Sequence, residues 1–213
     1  MNTVFHMNRA RVETLVDGVF AIAMTILVLE VKVPELADRR SVEELLLALG
    51  HHGYVIAAYF FSFAMLAVFW TWHHRMAESV RVFDKALLIC TVGFLSLICF
   101  FPFAAALFGR YPTNGAALFV YVMLTGLIIA IQTVYFKTAM MRGLLLESVS
   151  RAHAIKSHAR NLQGCAIFMI ASVPASLRLN EWVAIGALAL GVIILWHTRR
   201  IMAAAKVPAS EVS

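Results

Sequence analysis

An all-α polytopic membrane protein with six transmembrane helices is the fold class this sequence predicts, and three observations predict it. Of 213 residues, 62% are hydrophobic and only 14% are charged, with a mean hydropathy of +0.82. Apolar stretches of membrane-spanning length recur along the whole chain, the mark of an integral membrane protein. The basic residues cluster in short segments between those stretches, which is how orientation in a bilayer is encoded. The net charge of +6 is therefore read as topology and not as nucleic-acid binding.

A helix crosses the hydrocarbon core in roughly 20 residues. On that length the spans fall at 14–33, 53–72, 85–108, 115–136, 162–177 and 182–197. The first run is too long for the apolar core of a signal peptide. Asp17, Gly18 and Thr25 interrupt it, and Glu30, Lys32, Pro34 and Glu35 follow it in place of a small-residue cleavage site. Pro102 and Pro174 are expected to kink spans three and five near their ends. The polar, basic stretch 140–160 reads as a helix or a helix extension, and the tail beyond Arg200 as frayed. No internal duplication is evident, so residues 1–213 form a single six-helix domain. Cys90, Cys99 and Cys165 lie in apolar runs without C-x-x-C spacing and read as buried free thiols.

The Lys and Arg residues sort by side. Arg9 and Arg11 precede span one; Arg75, Arg81 and Lys85 join spans two and three; Lys137, Arg142, Arg151, Lys156 and Arg160 join four and five; Arg199, Arg200 and Lys206 follow span six. Only Lys32, Arg39, Arg40, Arg110 and Arg178 fall on the other side. The positive-inside rule places both termini in the cytoplasm. The first outer loop carries Glu35, Asp38, Glu43 and Glu44, an acidic rim.

Within the spans, polar residues are costly and need partners. Arg11 and Asp17 lie roughly 120° apart around a helix, so they do not pair with each other. Either each reaches a neighbouring helix, or Arg11 snorkels to phosphates and Asp17 to interfacial water. Span two ends in Trp70-Thr-Trp72-His73-His74-Arg75, at the same depth. A histidine here could donate to Asp17; the alternative is an interfacial aromatic belt. Adjacent histidines point apart on a helix and make a poor chelate, so no metal site is expected. Ile22, Thr25 and Leu29 share one face of span one, flanked by the small Gly18 and Ala21. That face could line a symmetry axis. On periodicity alone, a packing face with Thr25 bonded to its own i−4 carbonyl is the plainer reading. Thr91-Val-Gly93-Phe94 looks like part of a carbonyl filter but sits inside a continuous span with no pore helix before it, a chance match.

The pattern Arg11-x-x-x-Leu15-Val16-Asp17-Gly-Val-Phe-Ala-Ile22-Ala-x-Thr25 resembles the signature of the transmembrane protein 175 family. These are lysosomal potassium channels with shorter prokaryotic relatives. Leu15 and Val16 replace the family's Phe and Ser. The resemblance continues in Trp70-x-x-His73-His74-Arg75, in Asp84 at the position of a family asparagine, and in Pro102-Phe103. It implies a homotetramer in a bacterial inner membrane, with span one lining a central pore and no carbonyl filter. Ile22 would form the constriction, with Thr25 and Leu29 as further rings. Arg11, Asp17, Trp70, His73, His74 and Asp84 would brace the pore helix by hydrogen bonds, in an arrangement altered by the loss of Ser at Val16. The implied function is a potassium-permeable, weakly selective cation channel, with potassium as permeant ion and no cofactor. The alternative is a proton- or cation-coupled secondary transporter, with Asp17, His73 and His74 as a relay. G-x-S-x-G, H-E-x-x-H and paired intramembrane aspartates are all missing from the sequence, so an enzyme is not expected.

Overall fold

The computed structural model describes residues 8–177 and 181–204. Arg178, Lys206 and the tail from residue 205 lie outside the described residues. The chain is helical in α1 (Arg9–Ile26), a 3₁₀ turn (Leu27–Glu30), α2 (Val42–His51), α3 (Gly53–Glu78), α4 (Lys85–Arg110), α5 (Gly115–Met141), α6 (Arg151–Ala171), α7 (Val173–Leu177) and α8 (Glu181–Ala204).

Local chemistry explains the starts. Asn8 accepts from the Ala10 amide at 3.0 Å, Asp84 from Leu87 at 2.9 Å and Asn114 from Ala116 at 2.8 Å. Each satisfies an amide that has no partner within its helix. Ser41 does the same for α2, accepting from the Glu44 amide at 3.2 Å. Pro102 sits inside α4 without ending it.

Four expectations are corrected. Span one begins at Arg9, tightens to a 3₁₀ turn after Ile26 and ends at Glu30, short of residue 33. The loop after span one, read only as an acidic rim, contains α2. The span expected at 162–177 is two pieces: α6 starts at Arg151, breaks at Ser172 and resumes as α7. The break accommodates Pro174, whose ring would crowd the carbonyl of residue 170 in a continuous helix. Among the described residues five segments are long and apolar enough to cross a membrane: Arg9–Glu30, α3, α4, α5 and Ile185–Ala203. α6 is not one of them, because its first half is polar.

The stretch 140–160 is likewise not one helix. α5 ends at Met141, and Gly143 (φ 66°) turns the chain back. Residues after it pair with the α3–α4 loop: Arg81 donates its amide to Leu144 O at 2.8 Å, and Leu146 to Ser79 O at 2.9 Å. The carboxylate of Asp84 takes Arg142 Nε at 2.6 Å. Two loops on the basic side are thus stitched together.

Two apolar clusters form the core. One joins Phe20, Ala23 and Leu27 to Leu66 and Phe69 of α3, Phe94, Ile98 and Phe101 of α4, and Ile128 of α5. Phe20 and Phe94 rings lie 5.7 Å apart, and Phe69 meets Phe101 edge-on at 6.0 Å. The second, nearer the basic side, joins Val12, Met76, Val80, Phe83, Leu87 and Tyr135. α3 and α4 touch closely at Gly109, where a Cβ would stand 3.0 Å from Ala58 Cβ and 3.2 Å from Val55 Cα.

Gly143→Ala is expected to cost about 1–2 kcal/mol, the strain of a Cβ at positive φ, because nothing lies within 4 Å of the added methyl. Thermal unfolding of the detergent-solubilised variant measures it.

Candidate functional site

α1 is divided lengthwise. Val12, Val16, Phe20, Ala23 and Leu27 recur at helical spacing and are buried against α3 and α4. The opposite stripe carries Arg11, Gly18, Ile22, Thr25 and Leu29, all exposed. Ile22 is 60% exposed and Leu29 70%. The Ile22, Thr25 and Leu29 side chains are therefore together on a face that no other part of the subunit covers among the described residues. Thr25 Oγ1 donates back to Ala21 O at 3.0 Å and to Ile22 O at 2.9 Å. Its proton is committed to the backbone, so its lone pairs face outward.

Each end of this helix is pinned by a polar contact. On the basic side, Trp70 Nε1 of α3 donates to Asp17 Oδ1 at 2.8 Å. At the far end, Arg110 Nη2 of α4 donates to Glu30 Oε2 at 2.6 Å. In hydrocarbon, where burial of apolar surface does not drive helices together, such contacts fix rotation about the helix axis. The crevice beside Asp17 measures about 10 Å³, the lower limit for a single water.

The six residues expected to brace the helix do not form one network. Asp17 meets Trp70 and not a histidine. His73, 2% exposed, instead donates from Nδ1 to Gln132 Oε1 of α5 at 2.9 Å and stacks on Phe94 at 4.7 Å. His74 stacks on Trp70 at 5.8 Å and reaches Glu78 at 3.5 Å. Asp84 caps α4 and holds Arg142. The Arg11 side chain has no hydrogen bond or ion pair among the described residues; its amide donates to Asn8 O at 3.0 Å. Val16, where the family has a hydroxyl, is 5% exposed in the apolar core.

Sequence reasoning missed Gln132, Arg110 and Arg142. A glutamine within the apolar run of span four is itself a signal. Gln132 Nε2 and Tyr135 OH have no partner among the described residues. The acidic rim is partly structural: Glu44 accepts from the Ala37 amide at 2.7 Å and the Asp38 amide at 3.0 Å. The Asp38 amide first, then that of Ala37, holds the Glu44 carboxyl below its ordinary value. Glu35 and Glu43 remain exposed.

Residues 11–102 match the family model described as endosomal/lysosomal potassium channel TMEM175. A Chamaesiphon minutus protein named a potassium channel is 30% identical over 182 residues, 83% of this chain and 87% of that protein. A human protein named endosomal/lysosomal proton channel TMEM175 is 32% identical over 116 residues, 51% of this chain and 23% of that protein. Among solved structures, the crystal structure of a lysosomal potassium-selective channel TMEM175 homolog from Chamaesiphon minutus superposes with a TM-score of 0.69. It shares 27% identity and covers 89% of this chain and 97% of that one.

Two outcomes are expected. A double-mutant cycle between Asp17→Ala and Trp70→Phe returns a coupling of about 1–2 kcal/mol in unfolding experiments; additive losses contradict the contact. The Glu44 carboxyl is depressed, so its hold on the loop is complete above the ordinary value of 4.5 and disappears only as pH falls through the lower folded value. Hydrogen exchange at Ala37 and Asp38 is therefore protected at pH 5 and accelerates in more acidic buffer.

Proposed function

We propose, because this chain belongs to the TMEM175 family of endosomal/lysosomal potassium channels, that it forms a potassium-permeable cation channel whose pore is lined by α1 from four copies. The observation that carries the reading is the bare stripe of α1, apolar and pinned at both ends in a fixed rotation. Among the described residues a single subunit leaves Ile22 and Leu29 largely uncovered, and closure of like copies around an axis would cover them.

In that assembly Ile22 forms the narrowest ring, followed outward by Thr25 and Leu29. At 1.5 Å rise per residue the three rings span about 10 Å of pore. An aliphatic ring opposes water and ions alike, and gates by dewetting. Potassium sheds hydration water more readily than sodium, so the ring discriminates modestly. The outward lone pairs of Thr25 return some of the lost coordination. No carbonyl cage is involved, so selectivity is weak. The distribution of Lys and Arg supports a plasma-membrane orientation with both termini cytoplasmic. Glu35 and Glu43 would then raise the cation concentration at the outer mouth.

Planar-bilayer recording of the purified protein in asymmetric potassium and sodium tests the reading. Unitary currents are expected to reverse toward the potassium potential. Slow, saturable flux without unitary events would favour a coupled carrier, and a reversal potential that follows the pH gradient would assign proton permeation. Ile22→Asn is expected to raise conductance and reduce the potassium-to-sodium ratio; unchanged currents contradict Ile22 as the constriction.

A further inference from the structure

On the basic side, remote from the bare face of α1, a cavity of about 420 Å³ opens between α3, α5, α6 and the loop before α6. Its polar lining is Arg75, Ser79, Ser157, Arg160 and Asn161. No carboxylate lines it, and neither arginine has an ion-pair partner among the described residues. Asn161, only 6% exposed, donates to nothing better than the Met76 thioether at 3.7 Å. Two guanidinium groups, the Ser157 hydroxyl and an underused buried amide converge on one space, while Ser79 Oγ already donates to Met76 O at 2.6 Å. That donor set matches phosphate oxygens, which arginine forks bind by charge-assisted hydrogen bonds.

The cavity also has an apolar wall, supplied by Trp72, Met76, Phe136 and Val149. Trp72 precedes Arg75 by one turn, about 4.5 Å deeper along α3. Phosphate donors at the aqueous end and aromatic surface toward the hydrocarbon fit an amphiphile better than a free ion. Basic pockets between transmembrane helices on this side are a known setting for anionic headgroups.

We propose that this cavity binds the phosphate of an anionic phospholipid headgroup. The site does not depend on the pore reading. Native mass spectrometry of the full chain, titrated with phosphatidylglycerol or phosphatidylcholine of equal chain length, tests it. Phosphatidylglycerol is expected to bind more tightly. Arg75→Gln with Arg160→Gln weakens its binding by about tenfold or more, the scale of losing charge-assisted bonds. Arg199→Gln, an exposed basic residue on the same side, leaves it unchanged. Equal binding of the two lipids, or equal effects of the two sets of substitutions, overturns the proposal. Displacement of the lipid by an equal concentration of inorganic phosphate overturns the lipid assignment. If the double variant does not fold, the two lipids and the phosphate competition on the unaltered protein still decide.

Discussion

The lengthwise division of α1 is the constraint from which the rest of the architecture follows. One stripe, Val12 through Leu27, is committed to the subunit core. The other, Arg11 through Leu29, is left exposed among the described residues. Inside a bilayer such a helix is free to rotate unless packing and polar contacts stop it. Here Phe20 locks against Phe94, while Trp70 and Arg110 hold the carboxylates near either end. α3 and α4 thereby serve as the frame that aims the bare stripe.

The frame is itself secured on the basic side. The α3–α4 and α5–α6 loops share two backbone hydrogen bonds and the Asp84–Arg142 pair. The Asp84 side chain does two jobs, since its other oxygen caps α4. Deeper in the subunit, His73 and Gln132 cross-link α3 to α5 within an aromatic shell. Separate polar contacts at Asp17, His73 and Asp84 stand in place of the single bracing network that the family resemblance implied. An apolar Val16 leaves Asp17 to its tryptophan.

Much of this was legible in the residues. Spans two, three and four begin at the expected Gly53, Lys85 and Gly115; Asp84 and Asn114 are cap residues standing just before apolar runs. The stripe of Ile22, Thr25 and Leu29 was readable from 3.6-residue periodicity, and its exposure follows from Val16 and Phe20 taking the opposite side. α2 was signalled in the sequence by Ser41, an N-cap residue just before the run Val42–His51. The break at Ser172 was implied by Pro174. Partner choice was not legible. Periodicity states which face a residue occupies but not which neighbour it meets, so a histidine was expected at Asp17 where Trp70 in fact donates. Likewise Arg110 and Arg142 were read only as topogenic charge, although each meets a specific carboxylate distant in sequence.

Oxidative cross-linking measures directly whether Ile22 faces its own copies. With Cys90→Ala, Cys99→Ala and Cys165→Ala as background, Ile22→Cys introduced into protein in its native membrane is expected to form an intersubunit disulfide on mild oxidation. Ile89→Cys on α4, equally exposed in the single subunit at 62%, serves as the comparison and is expected to remain monomeric. A monomeric Ile22→Cys that reacts instead with a lipid-phase thiol reagent, as Ile89→Cys does, would contradict the pore assignment.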